Sequence, residues 1–159
     1  MMKFNTILIG LLLYLSISSC NSNQIFKEKH NFPKYQWHAN EKVAFNFDLA
    51  KENAGMEYFM VINLRYIHGY QYKYLHLRLR ITEPDGNETN KDISIQIATD
   101  EKEYLGEGMG DYWDLDYLIN ETIPFNKAGK YTFEIISLME DDPVYFINDI
   151  GITLLKETK

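Results

Sequence analysis

The stretch Leu75-His76-Leu77-Arg78-Leu79-Arg80-Ile81 alternates aliphatic and polar side chains without interruption. On a helix its leucines would be spread around the circumference. On a strand successive side chains point to opposite faces, so Leu75, Leu77, Leu79 and Ile81 share one face and His76, Arg78 and Arg80 the other. A half-buried strand is therefore expected, in a sheet with one dry side and one wet side. The residues that follow, Glu83-Pro84-Asp85-Gly86-Asn87, combine a proline that presets φ with residues that accept positive φ, which is turn chemistry. Beyond the turn Ile93, Ile95 and Ile97 resume the alternation, so the two runs form a hairpin.

The same period extends outward in both directions. Val43, Phe45, Phe47 and Leu49 alternate with Ala44, Asn46, Asp48 and Ala50. Residues 58–67 are apolar at most positions, with Met60, Ile62 and Leu64 on one side and Phe59, Val61 and Ile67 on the other, as expected of a central strand covered on both faces. Residues 25–28 read as a first edge strand. Residues 30–37 read as an irregular segment pinned by Phe32, Tyr35 and Trp37 around Pro33. Residues 99–120 show less order, and periodicity returns over residues 117–125. Tyr131, Phe133 and Ile135 mark another strand, and residues 144–155 a last one carrying Ile150, Ile152 and Leu154. Seven to eight short strands joined by Gly, Pro and Asn turns imply an all-β fold, an antiparallel β-sandwich of immunoglobulin-like or jelly-roll-like type. Within Gly129-Lys130-Tyr131-Thr132-Phe133, Tyr131 stands two residues before a core position. That is where a tyrosine corner, bonded to upstream backbone, is expected in such sandwiches.

The N-terminal segment has a different character. Lys3 precedes an apolar run from Ile7 to Leu15, and Ile17-Ser18-Ser19 leads to Cys20, the sole cysteine of 159 residues. The run is interrupted by serines and then turns polar at Asn21-Ser22-Asn23, short of the ~20 apolar residues a membrane span needs. Ile17-Ser18-Ser19-Cys20 resembles the lipobox of bacterial lipoproteins. In that signal diacylglycerol joins the cysteine sulfur, the bond before the cysteine is cut and the new amine is usually acylated with a palmitate-type chain. The expected organisation is a lipoprotein signal peptide over residues 1–19, a lipidated cysteine and short tether over residues 20–24, and a single sandwich domain over residues 25–159. Membrane attachment is expected through lipid on Cys20, since two or more acyl chains hold a protein where one does so only marginally. With that thiol committed, the domain has no disulfide to rely on and must be held by its core.

Charge and residue inventory narrow the chemistry. The net charge is −7, and −8 beyond residue 19 because Lys3 alone is charged before it, so no nucleic-acid partner is expected. After residue 20 the serines are Ser22, Ser94 and Ser137, none in a Gly-x-Ser-x-Gly elbow, which argues against a nucleophilic hydrolase. His30, His38, His68 and His76 lack ligand spacing, and Gly106-x-Gly108-x-Gly110 is followed by aspartates and aromatics rather than by a helix that could receive phosphate. Those glycines are expected to permit a bulge, a kink or a close backbone approach. Asp111, Asp114 and Asp116 leave calcium binding open, although their spacing is not that of an EF-hand loop. No catalytic residue, metal or cofactor is expected. Trp37, Tyr70, Tyr72, Tyr74, Tyr112 and Trp113, together with Tyr35, are expected either to form a contact surface for proteins or sugars or to fill the ends of the sandwich.

Four pieces, read in order, resemble the gliding motility lipoprotein GldH family of Bacteroidetes-type bacteria. They are Cys20 followed closely by Ile25-Phe26; Trp37 leading into Val43-Ala44-Phe45-Asn46-Phe47; Tyr104-Leu105-Gly106-Glu107-Gly108-Met109-Gly110-Asp111; and Pro124-Phe125-Asn126-Lys127-Ala128-Gly129-Lys130-Tyr131-Thr132-Phe133 followed by Asp149-Ile150-Gly151. One departure is Gln71, where the family commonly has a proline before the tyrosine. The resemblance implies a lipid-anchored cell-envelope protein required for movement over surfaces. It also implies partners in the gliding apparatus and the linked type IX secretion system, with no enzymatic activity. A periplasm-facing location fits the lack of an acidic run after Cys20. The alternative is a surface glycan-binding lipoprotein that uses Trp37, Trp113 and the tyrosines as stacking platforms.

Overall fold

The computed structural model describes residues 23–119 and 121–157. The expected signal peptide, Cys20 and most of the tether lie outside the described residues. In chain order the strands are β1 (Gln24–Asn31), β2 (Gln36–Trp37), β3 (Val43–Leu49), β4 (Met56–Ile67), β5 (Tyr74–Thr82), β6 (Glu88–Gln96), β7 (Glu107–Met109), β8 (Tyr112–Leu118), β9 (Ile123–Phe125), β10 (Gly129–Ser137), β11 (Val144–Tyr145) and β12 (Ile147–Lys156). Short 3-10 turns at Pro33–Tyr35 and Lys51–Asn53 are the sole helical elements among the described residues.

Every strand pair is antiparallel. One sheet runs β1-β12-β4-β8-β7 with β9 also on β4, a second runs β3-β10-β5-β6, and β2 and β11 make a small third. The two large sheets pack face to face as an antiparallel sandwich, and the all-β expectation holds with more strands than the seven to eight anticipated. In β5, Leu75, Leu77 and Leu79 are buried as their alternation requires, while Arg78 reaches across to Asp92 with two hydrogen bonds of 2.6 and 2.8 Å. Cross-strand pairs of this kind support a sheet's wet face as packing supports its dry one.

Between the sheets lies an aromatic cluster. Phe133 of β10 sits within 5.9–6.4 Å, centroid to centroid, of Phe26, Phe47 and Phe125. Phe26 and Phe125 belong to one sheet and Phe47 and Phe133 to the other, so the cluster ties the layers together. The corner expected at Tyr131 is present: its hydroxyl donates to the Lys127 carbonyl at 2.8 Å, four residues upstream, while Phe133 is fully buried.

Three expectations need correction. First, residues 99–119, the described part of the stretch 99–120, are more regular than their glycine and aspartate content suggests. Trp113, Leu115 and Tyr117 face inward while Tyr112, Asp114, Asp116 and Leu118 face outward, which makes β8 a true strand hairpinned to β7. Second, β4 is central but dry on one side. Tyr58, Met60, Ile62, Leu64 and Tyr66 are buried, whereas Phe59, Val61, Asn63, Arg65 and Ile67 are partly exposed on the sheet's outer face. Third, the last strand is two. Phe146 takes a left-handed backbone (φ 70°), which separates β11, paired with β2, from β12, paired with β1 and β4.

Candidate interaction surface

Strand direction sorts the loops into two ends. β1 leaves residue 23 at one end, and the same end holds the β3–β4, β5–β6 and β9–β10 connections and residue 157. The opposite end gathers residues 32–42, 68–73, 97–106, 110–111 and 138–146. A β-strand rises about 3.3 Å per residue. The 12 residues of β4 therefore set the two ends about 35–40 Å apart.

Among the described residues six large hydrophobic side chains are exposed, and five of them, Tyr74, Met109, Tyr112, Leu138 and Tyr145, stand at this second end; Leu118 lies on a sheet face instead. The four non-glycine residues with left-handed backbone among the described residues, Lys34, Tyr35, Lys102 and Phe146, are also there. Such conformations cost of order 1–3 kcal/mol each and persist where surrounding contacts fix them.

Those contacts can be traced across the end. The Tyr35 and Tyr112 hydroxyls meet at 3.0 Å, and the Phe146 amide donates to the Tyr35 carbonyl at 2.8 Å. The Phe146 ring covers Gly69 so closely that a Cβ there would come within 3.1 Å of it. The Tyr104 hydroxyl accepts from the Gly69 amide at 2.9 Å and donates to the Tyr70 carbonyl at 3.0 Å. Tyr70 packs edge-on against Tyr72, and the Tyr72 hydroxyl bonds Asp141. Tyr74 stacks on His76, whose amide faces the Met139 sulfur at 3.4 Å. Burial pushes the Tyr66 and Tyr70 hydroxyls well above the ordinary tyrosine range, so both stay protonated, and Tyr66 donates to the Leu105 carbonyl.

Tyr104 and Leu105, half-buried, thus tie residues 66–70 together, while residues 106–111 stay exposed. At Gly106, with φ +101°, a Cβ would fall 2.3 Å from the Asp114 carbonyl oxygen, and at Gly108 one would fall 3.1 Å from the Trp113 indole. Close approach is what Gly106 and Gly108 provide, whereas Gly110 turns the chain at φ +63° in open space.

The expected surface residues divide accordingly. Tyr74 and Tyr112 are exposed and Tyr72 is half-buried, all at the end described. Trp37 and Tyr70 are buried, 1% and 4% exposed, and must be withdrawn from the contact set. Trp37 stacks on Phe32 at 4.8 Å, because β2 is drawn in by β11 and presents its indole to the core. Trp113 is half-buried against Tyr104. Glycan stacking therefore loses one tryptophan outright and part of the other. Leu138, Tyr145 and Met109 stand outside the aromatic runs of the sequence; Leu138 directly follows β10, and Tyr145 and Met109 end β11 and β7.

The aspartates do not converge. Asp114 receives two hydrogen bonds from Arg65, at 2.6 and 2.7 Å, and Asp116 receives one from Asn63 at 2.7 Å, both on the outer face of the six-stranded sheet. Asp111 lies in the β7–β8 turn. No group of three His, Cys, Asp or Glu side chains able to hold a metal occurs among the described residues. His30 of β1 is paired with Glu41 at 2.7 Å and His76 of β5 with Ser94 at 2.8 Å, on different sheets.

The Arg65 hydrogen bonds hold the Asp114 carboxyl below the ordinary carboxylate range. A carboxylate depressed on folding contributes stability that is present above its unfolded value, near 3.9, and is lost as pH falls through the lower folded value. The pair is half exposed, so the contribution is about 0.2–1 kcal/mol. Asp114→Asn is expected to flatten the acid-side fall of melting temperature below about pH 4 and to change little at pH 7 beyond that small loss. Identical acid slopes for both proteins would refute the linkage.

Comparison with known proteins agrees with the sequence resemblance. The chain is 26% identical over 134 residues to the gliding motility lipoprotein GldH homolog of Christiangramia forsetii, covering 84% of this chain and 80% of that one. Among solved structures, a carbohydrate-binding module specific for non-crystalline cellulose aligns with TM-score 0.47 and 11% identity over 84% of this chain and 75% of the module. The EclA C-terminal domain, a sugar-binding protein, aligns with TM-score 0.39 and 15% identity over 83% of this chain and 77% of that domain. Both scores are too low to support an argument about this chain. The family model of the GldH lipoprotein matches residues 24–154, nearly the whole described domain, and the chain belongs to the GldH lipoprotein family.

Proposed function

We propose that this chain is a lipid-anchored envelope protein of the gliding machinery, attached through Cys20 and acting as a non-enzymatic adaptor through the end of the sandwich farthest from the anchor. The observation that supports it most is the placement of five of the six exposed large hydrophobics at that end, opposite residue 23. Anchoring at one end and contact at the other is the arrangement an adaptor needs. Apolar side chains held at strand ends and by a bonded loop network can meet a partner without paying to become ordered first. Its partners are proteins of the gliding apparatus and the linked type IX secretion machinery, and its domain faces the periplasm.

Deleting the gene is expected to abolish colony spreading. The double variant Leu138→Asp/Tyr145→Asp, at positions 39% and 51% exposed, is expected to reproduce most of that loss with protein level and melting temperature unchanged. A deletion strain that spreads normally would end the motility reading. A double variant that spreads normally would move the adaptor surface elsewhere. Digestion of the domain by protease on intact cells would overturn the periplasmic orientation.

A further inference from the structure

An open sheet edge offers unpaired amides and carbonyls to any other strand, and proteins guard such edges with lysines, prolines, bulges, inward-pointing charges or shortness. β1 has a register shift between Gln24 and Phe26 and carries Lys27 and Lys29, both exposed. β6 points Lys91 inward, opposite the buried Leu79. β7 and β9 are three residues long, and β8 continues only from Leu115 to Leu118 beyond its last pair with β7. β3 has none of these guards. Its seven residues, Val43-Ala44-Phe45-Asn46-Phe47-Asp48-Leu49, pair with β10 without a shift, contain no lysine, arginine or proline, and place only apolar side chains inward.

In an antiparallel strand the amide and carbonyl of one residue point to one side and those of the next to the other. The Leu138 amide donates to the His76 carbonyl at 2.9 Å, so the even-numbered residues of β10 turn toward β5 and the odd-numbered ones toward β3. The Ile97 amide, which donates to the Lys73 carbonyl at 2.8 Å, gives β5 the matching order. Ile135, Phe133, Tyr131 and Gly129 therefore bond Val43, Phe45, Phe47 and Leu49, while Ala44, Asn46 and Asp48 turn their amides and carbonyls to the open side. Among the described residues no hydrogen bond reaches those groups.

Beside this edge the core is incompletely covered. Phe26 of β1, across the sandwich from β3, is half-buried with its ring 5.4 Å from that of Phe47. Residues of an added strand opposite Phe45 and Phe47 would turn inward over Phe26. Those opposite Ala44, Asn46 and Asp48 would turn outward, where Asp48 favours a lysine or arginine. A second copy of the chain does not fit. Pairing antiparallel turns it end for end and lifts its Cys20 end about 35–40 Å, the length of β4, from the first copy's bilayer. The three residues from Cys20 to Asn23 span only about 10 Å. Pairing parallel about a two-fold axis puts its dry face on the wet side of the joined sheet.

We infer that the open edge of β3 receives an extended segment of a partner protein as a fifth strand of the four-stranded sheet; the choice of a partner over a second copy rests on the anchoring proposed above. The segment has apolar residues at alternate positions and a basic residue against Asp48. Main-chain hydrogen bonds hold it, and Phe26 with Phe47 selects its inward side chains. This contact runs along the side of the sandwich, apart from the aromatic end.

The test places a photo-reactive benzophenone amino acid at residue 46, 29 or 92 of the full-length protein in cells, on the open sides of β3, β1 and β6 respectively. After irradiation residue 46 is expected to give an adduct with a different polypeptide, at least tenfold more than residue 29 or 92. The joined partner peptide is expected to alternate apolar and polar residues with a lysine or arginine among the polar ones. Ala44→Pro removes one outward amide and no bond to β10, and Ala44→Lys adds the guard that β3 lacks. Each is expected to reduce the residue 46 adduct at least tenfold with melting temperature unchanged, and Ala44→Lys decides if Ala44→Pro does not fold. No adduct from residue 46, equal adducts from the three positions, a partner peptide without the alternation, or an undiminished adduct in a folded Ala44 variant would overturn the added strand. An adduct joining two copies of this chain would overturn the choice of partner, and acyl labelling of the protein in the same cells shows whether the anchoring at Cys20 failed with it.

Discussion

Replacing Cys20 with serine is expected to remove all acyl label from the protein and to abolish surface spreading as completely as gene deletion. Serine has no sulfur to receive diacylglycerol, and no second cysteine in the chain can substitute. The effect is large because anchoring is steep in the number of chains. Each buried CH₂ contributes ~0.8 kcal/mol, so losing two or three chains takes the protein from permanent to negligible membrane residence. A domain without its anchor keeps its fold, since no described core residue lies before Ile25. It loses the fixed distance between the bilayer and the aromatic end. The measurement is metabolic acyl labelling and spreading in one strain, with immunoblotting to confirm equal protein level. Ser19→Ala, which keeps the small residue before the cysteine, should leave both intact. Full spreading by a Cys20→Ser protein without label would show that the lipid is dispensable for movement.

What could be read from the chain depended on how local the determining interaction was. Residues 75–81 disclosed their structure because a strand's period is two and their polar positions are all charged or histidine. The Tyr131 corner was legible because the hydroxyl's partner lies four residues upstream. Trp37 was not, because its burial is decided by Phe32 and by pairing of β2 with β11, more than 100 residues later in the chain. Residues 112–118 hid a strand because two aspartates on its wet face, Asp114 and Asp116, resemble a loop until Arg65 and Asn63 are seen to receive them. The proposed interaction surface was half legible. Its tyrosines were conspicuous, but Leu138 and Tyr145 are ordinary apolar residues whose meaning comes only from the end of the sandwich they occupy.

Phe133→Ala is expected to destabilise the domain by about 3–5 kcal/mol, the range for truncating a buried phenylalanine. Its side chain is fully buried, and its ring contacts come from β1, β3 and β9, so its removal empties space shared by both sheets. The neighbours can relax little. Phe45 and Ile81, its partners in register, are themselves held in the four-stranded sheet, while Phe125 is fixed against Tyr58 and Tyr131. Total stabilities of single domains are about 5–15 kcal/mol, so the change consumes much of what is available, and no disulfide compensates. The melting temperature should fall by about 10 °C or more. Phe133→Leu, which keeps most of the volume, should cost clearly less. In cells Phe133→Ala should lower protein abundance and spreading together, whereas Leu138→Asp/Tyr145→Asp should lower spreading at constant abundance. That contrast separates a residue that joins the sheets from residues that meet a partner, and a fall in melting temperature of less than about 3 °C for Phe133→Ala would show that the aromatic cluster is not what holds the layers together.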